Sequence, residues 1–180
     1  MKLIDTTLEK IGKIITGKTP STKQSEYWDG NIPFVTPQDL QRGKNILFTD
    51  RQISKFGADS VKGAILPPKS ICVSCIGNLG YVSITTVESV TNQQINSLIV
   101  NSENDTDFIY YLLKSLWPLF KNFEGQSTTL SILNKSLFSK IEIKIPDLQR
   151  QKKIACVLNA LDAKIENNTL INQNLESIAA

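Results

Sequence analysis

The segment that closes the chain constrains the fold most, because it predicts one long helix with an apolar stripe. Pro146 disfavours helix in front of it, and Asp147 can cap the helix by accepting a first-turn N–H. From Ile154 onward apolar residues recur in alternating steps of three and four, which is the coiled-coil pattern. The predicted seam consists of Ile154, Leu158, Leu161, Ile165, Asn168, Asn172, Leu175 and Ala179.

The seam has two interpretations. In a coiled coil, Asn168 and Asn172 would be buried, which costs stability but sets the register and the number of helices. In an ordinary amphipathic helix packed on its own domain, both amides would stay in water. No second helix of matching length is predicted in the chain, so we expect the partner to be another copy or another subunit. The helix is therefore interpreted as a pairing element.

The order of predicted elements indicates an α+β fold. Strands separated by Gly and Pro turns fill the first hundred residues, including strands over 61–66 and 70–76. A helix is predicted over 107–120, capped by Thr106 or Asp107, and a strand over 137–145. We expect a mixed, mostly antiparallel β domain followed by the long C-terminal helix.

Length supports two units. A chain of 180 residues suits one medium domain with an appendage. The predicted units are a domain over 1–146 and the long helix over 147–180, for which the resemblance described below implies a spacer and dimerisation role.

Composition argues against catalysis by this chain. It has no histidine, which removes Ser-His-Asp and Cys-His catalysis and most metal sites. Gly77-Asn78-Leu79-Gly80 is too short for a dinucleotide fingerprint, and no phosphate-binding P-loop occurs. We expect no cofactor of its own.

Cysteine usage and hydropathy predict a cytoplasmic location. Three cysteines are an odd number, and Cys72 and Cys75 fall in a strand that reads as buried, which favours reduced thiols. Residues three apart in a strand face opposite sides, so this pair is a poor zinc chelate. No apolar run is long enough to span a bilayer, and the N-terminus lacks a signal peptide's apolar stretch.

The net charge of +3 is mild, but basic residues cluster in the first half of the chain. Residues 10–23 hold four lysines and no acid, and residues 42–69 hold six basic residues against two acidic ones. Such stretches suit phosphate contact, although a lysine-rich solvated surface gives the same pattern. Amide and hydroxyl side chains in the loops can read base edges or simply cap turns.

Several motifs together resemble the DNA-specificity subunit of type I restriction–modification systems. They are GKTPS at 17–21, EYWDGNIPF at 26–34, GNLG at 77–80, GQS at 125–127, and IKIPDLQRQ followed by IACVLNALD at 143–162. The closing block is specific, whereas each earlier motif is weak alone. Arg150 stands where that family usually has Glu.

The resemblance implies a target-recognition domain followed by a helical spacer. Family members usually hold two such units in tandem, and their spacer helices form an antiparallel coiled coil that sets the distance between two half-sites. This chain has one unit and so looks like a half subunit or a fragment. As a half subunit it would pair with itself through the 149–180 helix and read an inverted repeat in double-stranded DNA.

The resemblance also implies partners. A modification subunit would use S-adenosylmethionine to methylate adenine, and a restriction subunit driven by ATP can join it. Both cofactors would belong to these partners and not to this chain.

The predicted mechanism is recognition, with basic loops holding phosphates and amide or hydroxyl loops reading bases. The alternatives are a coiled-coil adaptor whose β domain binds protein, and a recognition domain cut from a fused methylase–nuclease. Salt-dependent DNA binding would separate the DNA reader from the adaptor. The predicted DNA contacts are Lys18, Thr19, Ser21, Lys23, Gln38, Arg42, Lys44, Asn78, Gln126, Ser127 and Thr128.

Overall fold

The computed structural model describes residues 3–125 and 132–179. Among them the strands are β1 (Ile4–Thr7), β2 (Gly12–Thr16), β3 (Trp28–Val35), β4 (Asn45–Ile46), β5 (Arg51–Ile53), β6 (Ile65–Leu66), β7 (Ile71–Ser74), β8 (Val82–Thr85), β9 (Ser89–Thr91), β10 (Ile95–Val100) and β11 (Glu142–Ile145). The helices are α1 (Leu8–Ile11), α2 (Lys55–Ser60), α3 (Thr106–Ser115), α4 (Trp117–Gly125), α5 (Lys135–Ser139) and α6 (Leu148–Ala179).

The strands form three sheets. The largest has the order β2-β10-β7-β8-β4, the second has the order β5-β3-β9-β6, and β1 pairs with β11 alone. All these pairs are antiparallel except β3 with β9 and β4 with β8. The predicted α+β class, with a mixed and mostly antiparallel β domain before a long helix, is confirmed.

The main core lies between the five-stranded sheet and the helices α3, α4 and α5. Its strands contribute side chains such as Ile71 and Leu98, and the helices contribute Tyr110, Phe120 and Phe138. These five side chains are at most 1% exposed, because the sheet and the helices cover them from both sides. The core therefore holds the sheet rigidly, and the loops at its ends are carried on a fixed frame.

Two predicted elements differ in the helical layer. The predicted helix over 107–120 is two helices, because the chain breaks at Leu116 and Pro118 lies in the first turn of α4, where proline is tolerated. The cap of α3 is Asp105, whose Oδ1 accepts from the Phe108 N–H at 2.9 Å, and neither Thr106 nor Asp107. The predicted strand over 137–145 begins as α5, because Asn134 caps a short helix before β11.

The region around 55–66 also differs. The predicted strand over 61–66 is a 3-10 turn at 62–64 followed by β6. The preceding helix α2 was not predicted, although Ser54 is a good cap and its hydroxyl accepts from the Gly57 N–H at 3.2 Å. Gly57 is required there, since an added Cβ would lie 2.3 Å from the Tyr27 carbonyl oxygen.

The C-terminal helix is present as predicted. Asp147 Oδ1 accepts from the Arg150 N–H at 3.0 Å, which confirms the predicted cap. The predicted boundary between 146 and 147 falls just before α6, but the first turns of α6 pack on the domain, so the division into two units stays a prediction. None of the described helices is both long enough and apolar enough to cross a membrane.

Candidate nucleic-acid interface

Three loops meet at one end of the five-stranded sheet. In the strand register Asn96 lies opposite Thr16, and Ile95 lies opposite Ser74. The end of β2, the end of β7 and the start of β10 are therefore neighbours. The loops 17–24, 75–81 and 92–94 leave the sheet side by side, and we call them the loop edge.

The loop 17–24 is anchored to the sheet by its backbone and by two side chains. The Gly17 N–H donates to the Ile95 carbonyl at 3.0 Å, and the Thr19 hydroxyl donates to Gln93 Oε1 at 2.6 Å. The Trp28 indole N–H donates to the Ser21 carbonyl at 3.2 Å. The predicted contacts Lys18, Thr19, Ser21 and Lys23 are all exposed on this anchored loop.

The predicted contact Asn78 lies on the second loop of the loop edge. Its side chain is exposed, and its carbonyl accepts from the Ser74 hydroxyl at 2.7 Å. Gly77 and Gly80 have φ of +78° and +87°, a region in which L side chains are strained. An added Cβ at Gly80 would also lie 2.8 Å from a ring carbon of Phe120. The loop thus has one tightly specified path.

The predicted contacts Gln126, Ser127 and Thr128 lie outside the described residues. The residue that resumes the core after them is Leu133, whose N–H donates to the Cys75 carbonyl at 2.8 Å. Its own carbonyl accepts from the Asn96 side chain at 3.1 Å. Leu133 is therefore held at the loop edge.

The predicted contact Gln38 is exposed at the start of a 3-10 turn. The predicted contact Arg42, four residues later, is bound to other side chains of the domain. Its guanidinium lies 3.0 Å from Asp39 Oδ1, 2.5 Å from Asp50 Oδ1 and 4.8 Å from the centroid of the Phe48 ring. The hydrogen bond to Asp50 raises the pKa of Arg42 above its usual value. This environment favours a structural role for Arg42 over base reading.

Lys44 lies away from the loop edge, at a junction with α3 and α6. Its ammonium is 2.5 Å from Asp107 Oδ1, donates to Asn159 Oδ1, and lies 4.7 Å from the centroid of the Tyr111 ring. The side chain is only 10% exposed. Lys44 therefore positions α6 rather than offering a charge to a ligand in this structure.

A polar junction docks α6 on the domain. Gln151 is 1% exposed, accepts from the Asp105 N–H at 2.9 Å, and donates to Asn104 Oδ1 and the Pro146 carbonyl at 2.9 Å each. Further along, the Tyr111 hydroxyl lies 2.7 Å from Asp162 Oδ2. The docked stretch of α6 therefore runs from Gln151 to Asp162.

Burial raises the pKa of Tyr111 and of its neighbour Tyr110. Burial raises the pKa of Tyr110 to about 12, with smaller contributions from the charges of Asp162 and Glu166. Burial also raises the pKa of Tyr111, and the hydrogen bond to Asp162 adds to the effect. The raised pKa keeps the Tyr111 hydroxyl protonated, and so able to donate, further into the alkaline range.

The predicted seam of α6 is largely exposed. Ile154 is 37% exposed and Ile165 is 63% exposed, while Leu158 is half-buried. Asn168 and Asn172 are also exposed. The helix thus combines a polar face docked on its own domain with an apolar stripe in solvent. The exposed seam residues are Ile154, Leu161, Ile165, Asn168, Asn172 and Leu175.

Arg51 and Trp28 form a stack that is not among the predicted contacts. The Arg51 guanidinium carbon lies 3.8 Å from the centroid of the Trp28 ring, beside the anchored loop 17–24. Trp28 sits in a motif quoted for the resemblance, and Arg51 belongs to the basic stretch 42–69, but nothing in the sequence pairs them. Within the described ranges no group of His, Cys, Asp or Glu side chains could hold a metal ion.

The structure thus combines polar loops on a β scaffold with a long helix that has an exposed apolar stripe. The chain belongs to the family of type I restriction modification DNA specificity domains, whose model matches residues 5–177. The predicted family is therefore confirmed. The chain is assigned as a non-catalytic specificity component because it belongs to this family. The assignment does not rest on the lack of a catalytic cluster.

Two curated relatives have the same description. Over 170 residues the chain is 39% identical to the type I restriction enzyme HindI specificity subunit of Haemophilus influenzae, covering 91% of this chain and 37% of that protein. It is 34% identical over 176 residues to the MjaIX specificity subunit of Methanocaldococcus jannaschii, covering 96% and 40%. The chain thus spans about two-fifths of the length of these relatives.

Solved structures show the same fold at low identity. A chain from a type I R-M system studied for complex assembly and conformational transition has a TM-score of 0.76 at 15% identity, covering 97% of this chain and 42% of that one. The S subunit of the type I system of M. genitalium has a TM-score of 0.69 at 19% identity, covering 98% and 43%.

Proposed function

We propose that this chain reads DNA sequence for a type I restriction–modification complex, with the loop edge as its contact surface. The observation that carries the proposal is the convergence of loops 17–24, 75–81 and 92–94 at one end of a rigid sheet. Exposed lysines and exposed amide or hydroxyl side chains share that end. This combination suits contact with both phosphates and base edges. The proposed role is cytoplasmic, where the cell's DNA lies.

The predicted contacts divide by chemistry. Lys18 and Lys23 are exposed charges on the anchored loop and suit phosphates. The exposed hydroxyl and amide side chains suit base edges, and Gln126, Ser127 and Thr128 stay candidates of the same kind. Arg42 and Lys44 are the weakest candidates, because their charges are paired inside the protein. The base-edge candidates on the loop edge are Thr19, Ser21 and Asn78, and Gln38 is a further candidate outside it.

A salt titration of DNA binding tests this proposal. Replacing Lys18 and Lys23 by Ala should weaken binding to all duplexes and lower the slope of log K against log salt by about 1.8, since each lost phosphate contact removes about 0.9. The matched control replaces Lys10 and Lys13, which are exposed at the opposite end of β2. Equal effects of both pairs would argue against a localised surface. Binding that is absent at low salt would favour the protein-binding adaptor.

The second part of the proposal concerns α6 as spacer and dimerisation element over 147–180. The strand β10 runs from the loop edge to the α6 junction, a distance of about 17 Å at about 3.3 Å per residue. An α6 that pairs through its exposed stripe would hold two loop edges at a set separation. Such an assembly suits a bipartite site, with a modification subunit carrying S-adenosylmethionine for adenine methylation and a restriction subunit using ATP.

Light scattering tests the pairing. The wild-type chain should be a dimer, and Leu161→Asp with Ile165→Asp should give a folded monomer, because two buried charges would open the seam. Asn167→Asp with Asn174→Asp is the control, since both residues are exposed and lie off the seam. A wild-type monomer that the seam substitutions leave unchanged would contradict self-pairing. The stripe would then be assigned to a second specificity unit or to the modification subunit.

A further inference from the structure

Arg51 is exposed, and its guanidinium packs against aromatic rings and not against carboxylates. It lies 3.8 Å from the Trp28 ring centroid and 5.7 Å from that of Phe34. The two rings themselves meet edge to face with centroids 5.2 Å apart. A stacked guanidinium has its flat face covered, while its N–H donors stay available to another partner.

In the described part of the chain, the N–H donors of the Arg51 guanidinium form no hydrogen bond or ion pair. No carboxylate there forms an ion pair with Arg51, whereas Arg42 is paired with both Asp39 and Asp50. An arginine held in place but not neutralised is prepared to bind an acceptor. This difference separates Arg51 from the other arginine of the same basic stretch.

A recess of about 420 Å³ lies beside the stack. Asp29 lines it and has φ of +57°, in the left-handed region that a residue other than glycine enters at a cost. It lies in the irregularity of β3 between Trp28 and Ile32, and such bulges redirect side chains. No described residue forms an ion pair with its carboxylate. The recess therefore offers a planar set of donors together with a free acceptor.

The recess adjoins the loop edge. Arg51 lies opposite Phe34 in the register of β5 with β3, and the next residue, Val35, accepts at its carbonyl from the Asn92 N–H at 3.0 Å. The stack also contacts loop 17–24 directly, because the Trp28 indole N–H donates to the Ser21 carbonyl. A DNA duplex on the loop edge would therefore come within reach of the recess.

We propose that the Trp28–Arg51 stack and Asp29 form a site that reads one G·C base pair from the major groove. Arg51 donates to guanine O6 and N7, and Asp29 accepts from the cytosine N4 amino group. A phosphate suits the site less well, because the Asp29 carboxylate lines it without an ion-pair partner among the described residues and would repel an anion. This inference rests on the proposed DNA-reading function.

The test measures base preference with the full chain. A pool of random duplexes is selected on the wild-type protein, and affinities are then measured for the selected duplex and for each single base-pair change. Arg51→Lys keeps the charge but loses the planar fork, so it should reduce the preference for G·C at one position by about ten- to a hundredfold. Asp29→Gly should relax the same position, and Gly adopts a positive φ freely, so folding is preserved.

The control is Lys55→Ala, which removes an exposed charge a few residues away and should leave every base preference unchanged. Thermal unfolding checks that each variant is folded. Equal weakening on all duplexes by Arg51→Ala, with a lower salt slope, would make Arg51 a phosphate contact and overturn the inference. Unchanged preferences in both Arg51 variants would overturn it too while leaving the proposed function intact. A wild-type chain without any sequence preference would overturn both.

Discussion

The Tyr111 hydroxyl lies 2.7 Å from Asp162 Oδ2 and thereby joins α3 of the domain to the fourth turn of α6. The same hydroxyl lies 3.0 Å from Asn159 Oδ1, and Lys44 contacts both Tyr111 and Asn159. The direction in which α6 leaves the domain is therefore set by partly buried polar contacts. Beyond Asp162 the helix has no described side chain that is buried. Any spacing function of the rest of α6 depends on this junction.

Removing the Tyr111 hydroxyl should loosen the junction. Tyr111→Phe deletes a hydrogen bond to a charged acceptor, and we expect a loss of about 1.5–3 kcal/mol in the free energy of unfolding. Amide exchange should quicken in residues 148–162 more than in the sheet. Urea unfolding and hydrogen exchange measure both effects. Tyr81→Phe is the control, because no hydrogen bond of the Tyr81 hydroxyl is present among the described residues; equal effects of the two changes would contradict the prediction.

Gln151 should tolerate almost no change. In Gln151→Glu one oxygen can still accept from the Asp105 N–H, but the other would face Asn104 Oδ1 and the Pro146 carbonyl, which are both acceptors. A buried charge without donors is costly, so we expect a loss of about 3 kcal/mol or more. Chemical denaturation measures it. The exposed neighbour Gln149→Glu should change stability by less than about 0.5 kcal/mol, and a similar loss there would show that the burial of Gln151 is not the cause.

Asp39 organises the loop that carries Gln38 and Arg42. The residue is 2% exposed, and its carboxylate accepts from the N–H and the hydroxyl of Thr36 at 2.8 Å each. The other oxygen of the carboxylate faces Arg42 and the Asp50 N–H, so in either orientation Asp39→Asn points its amide N–H₂ at donors. We expect a loss of about 2–4 kcal/mol in thermal or urea unfolding. The comparison is Asp59→Asn, whose carboxylate is exposed and lies 3.9 Å from Lys62. That change should be nearly neutral, and equal losses would refute the role of Asp39.

Alkaline pH should destabilise the fold through its buried thiols. Burial raises the pKa of Cys72 and of Cys75 from 9.0 to about 12. Between these values the unfolded chain loses protons that the folded chain keeps, so the free energy of unfolding falls by about 1.4 kcal/mol per pH unit for each thiol. The stabilising difference is complete below pH 9 and is lost as the pH rises toward 12.

Stability curves from pH 8 to 11 check this prediction in three chains. Cys72→Ala should have a shallower decline than the wild type, because one buried thiol is gone. Cys156→Ala should decline as the wild type does, because Cys156 is exposed. A slope that neither substitution changes would show that other groups control the alkaline behaviour.

Structural features that depend on residues close together in the sequence were the easiest to predict. The cap at Asp147 and the exposed apolar stripe of α6 depend on residues within one or two turns, so capping rules and periodicity predict them. The pairing of α6 through that stripe stays a prediction. The broken helix at Leu116 and the helix α2 after Ser54 also have local signals, but these compete with apolar patterns that resemble continuous helix or strand. The family could be predicted from the sequence, because the motif at 143–162 combines a strand, a helix cap and the start of the α6 seam in a specific order.

The contact residues illustrate the limit. Exposure on loop 17–24 was expected for Lys18 and Lys23, and the structure agrees in placing them on an exposed loop. Arg42 and Lys44 look the same in the sequence, yet one is paired inside the domain and the other joins α3 to α6. Whether a basic side chain is available depends on which acids face it across the fold.

The local sequence thus specified the α+β class, the start of the long helix and its apolar stripe, because neighbours along the chain set backbone preference and periodicity. The tertiary structure decides which polar side chains are paired within the protein and which remain available to a ligand. Arg51 stacks on Trp28, which lies 23 positions earlier in the numbering, and Lys44 bonds to Asn159 across 115 positions. Such pairings depend on strand register and helix docking, which are properties of the whole packed core and not of any short segment.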